Sequence, residues 1–178
     1  CFLYKNANKP LPSDQHIATF NSLIQFLNGN NRKIHFFFVD YNVENVPDSS
    51  GYTQADYLNA AATFFNDKGN NLFRKSTDAI YIVLTKSDLM KCEKGERVNQ
   101  MKEHLQNNNY SALVNSLRSR CSENSINGKR ILGTPFALGK VFFQHMCEFD
   151  PETSTNIIDI LLRRIQPKTH SILDILNK

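Results

Sequence analysis

The strongest constraint on this chain is a run of six apolar or aromatic residues, Ala79-Ile80-Tyr81-Ile82-Val83-Leu84, followed at once by the polar tetrapeptide Thr85-Lys86-Ser87-Asp88. The run has no charge and no helical period, so both of its faces require cover, the condition of a central strand in a parallel sheet. The tetrapeptide then stands at the strand's carboxyl end. In open α/β sheets ligands bind there, because the loops leave a crevice and the following helix offers unpaired N–H groups. In isolation Thr-Lys-Ser-Asp reads first as an ordinary strand-to-helix loop with Asp88 near a helix start.

The flanking sequence alternates strand and helix around this run. Cys1 to Tyr4 is a short apolar strand candidate, and a polar loop then leads to Ser13 or Asp14 as a helix cap. Ile17, Phe20, Ile24 and Leu27 recur at helical steps until Asn28-Gly29, so 14–28 reads as an amphipathic helix. Ile34 to Val39 reads as a strand ending in Asp40-Tyr41-Asn42, where Asp40 faces a ligand or forms a turn before the loop at 43–52. Thr53 and Asp56 make a variant capping box for a helix to about Asn66. Beyond the central strand, Glu93 to Ser122 has a helical pattern broken at Gln106 to Asn109, which predicts two helices or one broken helix. Asn127-Gly128 is a turn, Lys129 to Thr134 a strand and Pro135 to Gly139 a loop. Residues 140–148 allow an antiparallel edge strand, with a helical turn as the alternative. Asp150-Pro151-Glu152 starts a helix, and His170 to Leu176 reads as a last short one.

This order predicts an α/β fold, a three-layer sandwich with a mostly parallel sheet and helices on both faces. At 178 residues the chain is one domain by length and long enough to hold a real core. Its net charge of +4 is scattered, compatible with phosphate ligands and unlike a nucleic-acid stripe. The four cysteines, Cys1, Cys92, Cys121 and Cys147, are far apart and match no zinc pattern, so they read as free thiols in a reducing, cytoplasmic compartment. His145-Met146-Cys147 supplies too few donors for a metal site. No membrane span or signal peptide is evident, and neither a nucleic-acid nor a membrane partner is expected. The start at Cys1 without an initiator Met favours a piece of a larger protein.

Thr85-Lys86-Ser87-Asp88 behind a buried strand resembles the guanine-specificity motif of P-loop GTPases of the Ras-like, TRAFAC type, usually Asn-Lys-x-Asp and in some branches Thr-Lys-x-Asp. The resemblance implies that Asp88 accepts two parallel hydrogen bonds from the guanine N1–H and exocyclic amine, while Lys86 lays its methylene stem over the base. It also covers the order of parts from about residue 30 to 165. Thr134-Pro135-Phe136-Ala137-Leu138-Gly139-Lys140 falls where the family has its Ser-Ala-Lys-type loop, which implies that the backbone of Ala137 and Leu138 meets the guanine oxygen. The departures are equally plain. Between Gly133 and Gly139 lie five residues, one more than a phosphate loop has, and Val141 replaces the Ser or Thr that would hold magnesium.

The implied protein is therefore the carboxyl-terminal half of a GTPase domain, truncated or degenerate, with base recognition present and phosphate and magnesium binding absent. GTP or GDP is expected in an intact parent and none bound to this chain, with no catalytic residue and no hydrolysis by the chain alone. A non-catalytic α/β scaffold that binds a protein partner is the alternative. An unrelated α/β enzyme finds no Ser-His-Asp, Cys-His or paired-carboxylate pattern to support it.

Overall fold

The computed structural model describes residues 1–43, 46–67, 72–73, 76–107, 109–142, 146–149 and 151–165, with the backbone alone described for 140–142, 146–149 and 165. The expected helix at 170–176, the Asp150 cap and His145 lie outside the described residues. The expected α/β sandwich is observed. Strands β1 (Lys33–Asp40), β2 (Thr77–Thr85) and β3 (Leu132–Pro135) form one sheet in the order β1-β2-β3. Both pairs are parallel, with Phe36 opposite Tyr81 and Tyr81 opposite Leu132.

Local chemistry accounts for the helices between them. In α2 (Asp14–Asn28) the Ser13 hydroxyl accepts from the His16 N–H at 3.4 Å, and Gly29 ends the helix. In α3 (Gln54–Asn66) the capping box is complete, for Thr53 Oγ1 accepts from Asp56 N–H and Asp56 Oδ2 from Thr53 N–H. The long pattern after β2 resolves into α4 (Arg97–Gln106) and α5 (Ser111–Glu123), broken at the Asn-rich segment.

The amino terminus corrects the sequence reading. Cys1 to Tyr4 is not a strand; Phe2–Asn6 is a short helix, α1. One helical turn delivers the Phe2 ring to Phe20, Phe64 and Phe65, at centroid separations of 5.7, 5.2 and 5.6 Å, and leaves Lys5 in solvent. Four apolar residues cannot distinguish a strand from a helical turn, and the aromatic contacts settle the matter here.

Alternation sorts the sheet residues onto two faces. On one, Phe37 and Val39 of β1 and Ile80, Ile82 and Leu84 of β2 join a core with Phe65, Met101, Leu105, Leu113 and Leu117 from α3, α4 and α5. Gly133 of β3 lies here because an added Cβ would come 3.1 Å from the Met101 Cε. The other face carries Phe36, Phe38, Tyr81 and Val83, and α6 (Pro151–Ile165) packs there against β3, with Leu161 beside Ile34. The segment after β3 is an antiparallel ribbon of β4 (Gly139–Phe142) and β5 (Met146–Phe149), which pair with each other in a separate two-stranded sheet. Among the described residues no helix is long and apolar enough to cross a membrane.

Candidate functional site

The site is built where the three parallel strands end. Thr85 is the last residue of β2, and its hydroxyl donates to the Val39 carbonyl of β1 at 3.3 Å. Lys86 turns the chain with a left-handed backbone, φ 55° and ψ 35°, a conformation that costs a side-chain-bearing residue about 1 kcal/mol. This turn releases the chain from the sheet plane. The following Ser87–Leu89 segment is a single tight helical turn, with Ser87 buried and Asp88 half-buried.

Two contacts tie this loop to its neighbours. Lys86 Nζ lies 2.9 Å from Asp40 Oδ2 at the end of β1, so the polar groups that end two adjacent strands neutralise each other. The Ser87 N–H donates to the Phe136 carbonyl at 3.1 Å, joining the loop after β2 to the loop after β3. The sequence-predicted residues Thr85, Lys86 and Asp88 thus share one end of the sheet with Ala137 and Leu138. Asp88 has no side-chain hydrogen bond or ion pair among the described residues.

Ala137 is not free in the way the sequence suggests. Its buried N–H donates to Thr153 Oγ1 at 3.0 Å, and the same hydroxyl donates to the Ala137 carbonyl at 2.9 Å. Thr153, itself 3% exposed in the first turn of α6, thereby saturates the backbone of Ala137. Leu138 is half-exposed, and its N–H has no backbone partner among the described residues.

Gln54 also belongs to this end of the fold, and the sequence reading passed over it. Its side-chain oxygen accepts from the Asp40 N–H at 2.8 Å, and its amide nitrogen donates to the Asp40 carbonyl at 2.9 Å and lies 3.1 Å from the Tyr110 hydroxyl. An amide side chain here imitates one residue of a neighbouring strand. Asp40 takes the turn role, its Oδ1 accepting from the Asn42 N–H, while its Oδ2 is engaged by Lys86.

No family of known proteins, no curated protein and no solved structure matches this chain. Its chemistry is therefore read from its own residues.

A second concave region lies at the opposite, amino end of the strands. It is a cleft of about 690 Å³ lined by Arg32, Asp78, Glu123, Asn127 and Arg164 among others. Its charges are largely matched internally: Arg32 pairs with Asp78, Glu123 with Arg120 at 2.9 Å, and Arg164 donates to Asn127 Oδ1 at 3.3 Å. Nothing in the sequence marked it, because its walls come from segments distant in the chain. No group of three or more His, Cys, Asp or Glu residues suited to a metal is present among the described residues. Cys121 is buried, which pushes its thiol up to about 11 and leaves it a packing residue.

Proposed function

We propose that this chain is the base-recognition half of a GTPase-like, guanine-nucleotide-binding domain, truncated or degenerate, working in the cytoplasm. The observation that carries the reading is the Ser87 N–H to Phe136 carbonyl bond, which holds the Thr85–Asp88 loop beside the Ala137–Leu138 loop. In this reading Asp88 accepts from the guanine N1–H and amine, and the Lys86 stem covers the base. The guanine oxygen is met by the Leu138 N–H, since Thr153 occupies that of Ala137. Phosphate and magnesium contacts belong to an intact parent, so the chain alone is assigned no catalytic residue and no GTP hydrolysis. Positioning and charge neutralisation of the phosphates supply nearly the whole effect in that chemistry.

The experiment is a titration of guanosine diphosphate into the isotope-labelled chain, observed by amide resonances. Base binding without phosphate contacts should be weak, with Kd ~1 mM or poorer, because a base contact of a few kcal/mol must also meet the cost of association. The amides of Ser87, Asp88 and Leu138 should move, and adenosine diphosphate should leave them in place. Equal responses to both nucleotides contradict base recognition. Phosphate release above a blank that Asp88→Ala abolishes contradicts the non-catalytic assignment.

The alternative is a non-catalytic α/β scaffold whose Thr-Lys-Ser-Asp is a structural loop. Two observations favour it: the Ala137 backbone is already satisfied by Thr153, and Lys86 is already paired with Asp40.

A further inference from the structure

Among the described residues the outer edge of β1 is open and has a defined length. Because Tyr41 N–H and Lys33 N–H both donate toward the β2 side, to Thr85 O and Ser76 O, the odd-numbered residues of β1 spend their backbone groups on that side. Ile34, Phe36, Phe38 and Asp40 therefore present their N–H and C=O groups to the other side. At Asp40 both groups are taken by the Gln54 side chain. At Ile34, Phe36 and Phe38 no partner exists among the described residues. Six strong hydrogen-bonding groups are thus left in a row without a partner among the described residues, and the Gln54 cap closes the row at its carboxyl end.

The side chains beside this edge are apolar. Phe36 stacks on Tyr81 with centroids 5.6 Å apart, and Phe38 is 59% exposed. A hollow of about 500 Å³ sits at the end of the row, walled by Phe38, Val46, Pro47, Tyr52, Tyr57 and Leu58. It takes Phe38 from one face of β1 and Tyr57 and Leu58 from α3, on the other face, so it straddles the edge itself. Natural sheets shield such edges with lysine, proline or a bulge; here Lys33 and a register shift between Lys33 and Ile34 guard only the amino end of β1, and Ile34 to Val39 contains neither lysine nor proline.

We infer that β1 is a seat for one further strand, supplied by an extended segment of another polypeptide whose backbone pairs with Ile34, Phe36 and Phe38. One apolar side chain of that segment enters the hollow at Phe38. A second copy of this chain is the poorer occupant, for an edge of five residues spans only about 17 Å and gives little of the ~800 Å² per partner that a stable dimer buries. Strand addition derives its affinity from main-chain bonds and its selectivity from such a pocket. The inference does not depend on base recognition.

The test is a selection of short random peptides displayed against the whole chain, followed by hydrogen exchange with the enriched peptide. Enriched peptides should alternate apolar and polar residues and slow exchange at the Ile34, Phe36 and Phe38 amides, with Phe37 and Val39 unchanged. Phe36→Pro removes an outward N–H together with the ring stacked on Tyr81, and Phe38→Lys places a charge at the hollow; each should weaken the peptide by about tenfold or more. Should Phe36→Pro fail to fold, Phe38→Lys carries the comparison. Four results overturn the inference: no enrichment, peptides indifferent to Phe38→Lys, slow exchange of the three amides already in the free monomer, or protection that accompanies a concentration-dependent dimer.

Discussion

Asp40 ends β1 and Lys86 directly follows the neighbouring parallel strand β2, and the two face each other at 2.9 Å, with Lys86 held in a left-handed backbone. The pair is half in solvent, so it contributes between about 0 and 1 kcal/mol. The backbone conformation of Lys86 costs about as much, which glycine would not incur. Lys86→Gly should therefore leave stability within about 1 kcal/mol of the parent, whereas Lys86→Val, branched at Cβ, should lower it further. Denaturant unfolding of the two variants checks this, and a large loss with glycine would mean that the ion pair dominates.

Gln54 carries more of the local order than its surface position suggests. Gln54→Ala uncovers the Asp40 N–H and C=O and removes the contact to the buried Tyr110 hydroxyl. We expect a loss of about 1–3 kcal/mol in urea unfolding, the range for half-buried backbone groups deprived of partners. Gln54→Glu should recover part of it, since a carboxylate can still accept from the Asp40 N–H. No loss in the alanine variant would show that water replaces the amide at no cost.

His35 sets a pH window. It is buried, with Nε2 3.2 Å from Thr77 Oγ1 and its ring edge-on to Phe73, and burial together with the nearby Lys33 charge pushes its pKa down to about 4 from 6.5. The unfolded chain takes up this proton near pH 6.5 and the folded chain only near 4, so protonation favours unfolding. Stability should be full above about pH 6.5 and fall as pH drops toward 4, by at most about 3 kcal/mol. His35→Gln keeps a partner for Thr77 and should flatten the curve within that window. An unchanged slope in the variant would assign the pH dependence to other groups.

Elements that announce themselves locally were legible before the structure. The Thr53–Asp56 capping box, the Asn28-Gly29 stop and the uncharged run from Ala79 to Leu84 each carry their signal within a few residues, and each forms as read. What escaped depends on residues far apart in the chain. Phe2 is helical because Phe20, Phe64 and Phe65 receive it, and Thr153 blocks Ala137 from across sixteen positions. Gln54 sits in the first turn of α3 with no local signal to mark it, and only the end of β1 beside it gives its amide a role. The segment 140–148 was expected to add an antiparallel edge strand to the sheet; its described residues instead form β4 and β5, which pair with each other because the partner strand lies in the same segment.

Asp88 is the side chain on which base recognition depends, and its replacement gives the most direct measurement. Asp88→Asn exchanges one acceptor for a donor facing the guanine N1–H and amine, whereas xanthine offers a C2 oxygen that can accept. Competition between GTP and xanthosine triphosphate should be measured on the full-length protein, parent against Asp88→Asn. The account predicts weaker GTP binding and a preference moved toward the xanthosine nucleotide. An unchanged preference for GTP would contradict it and leave Thr85 to Asp88 as a structural loop of a scaffold.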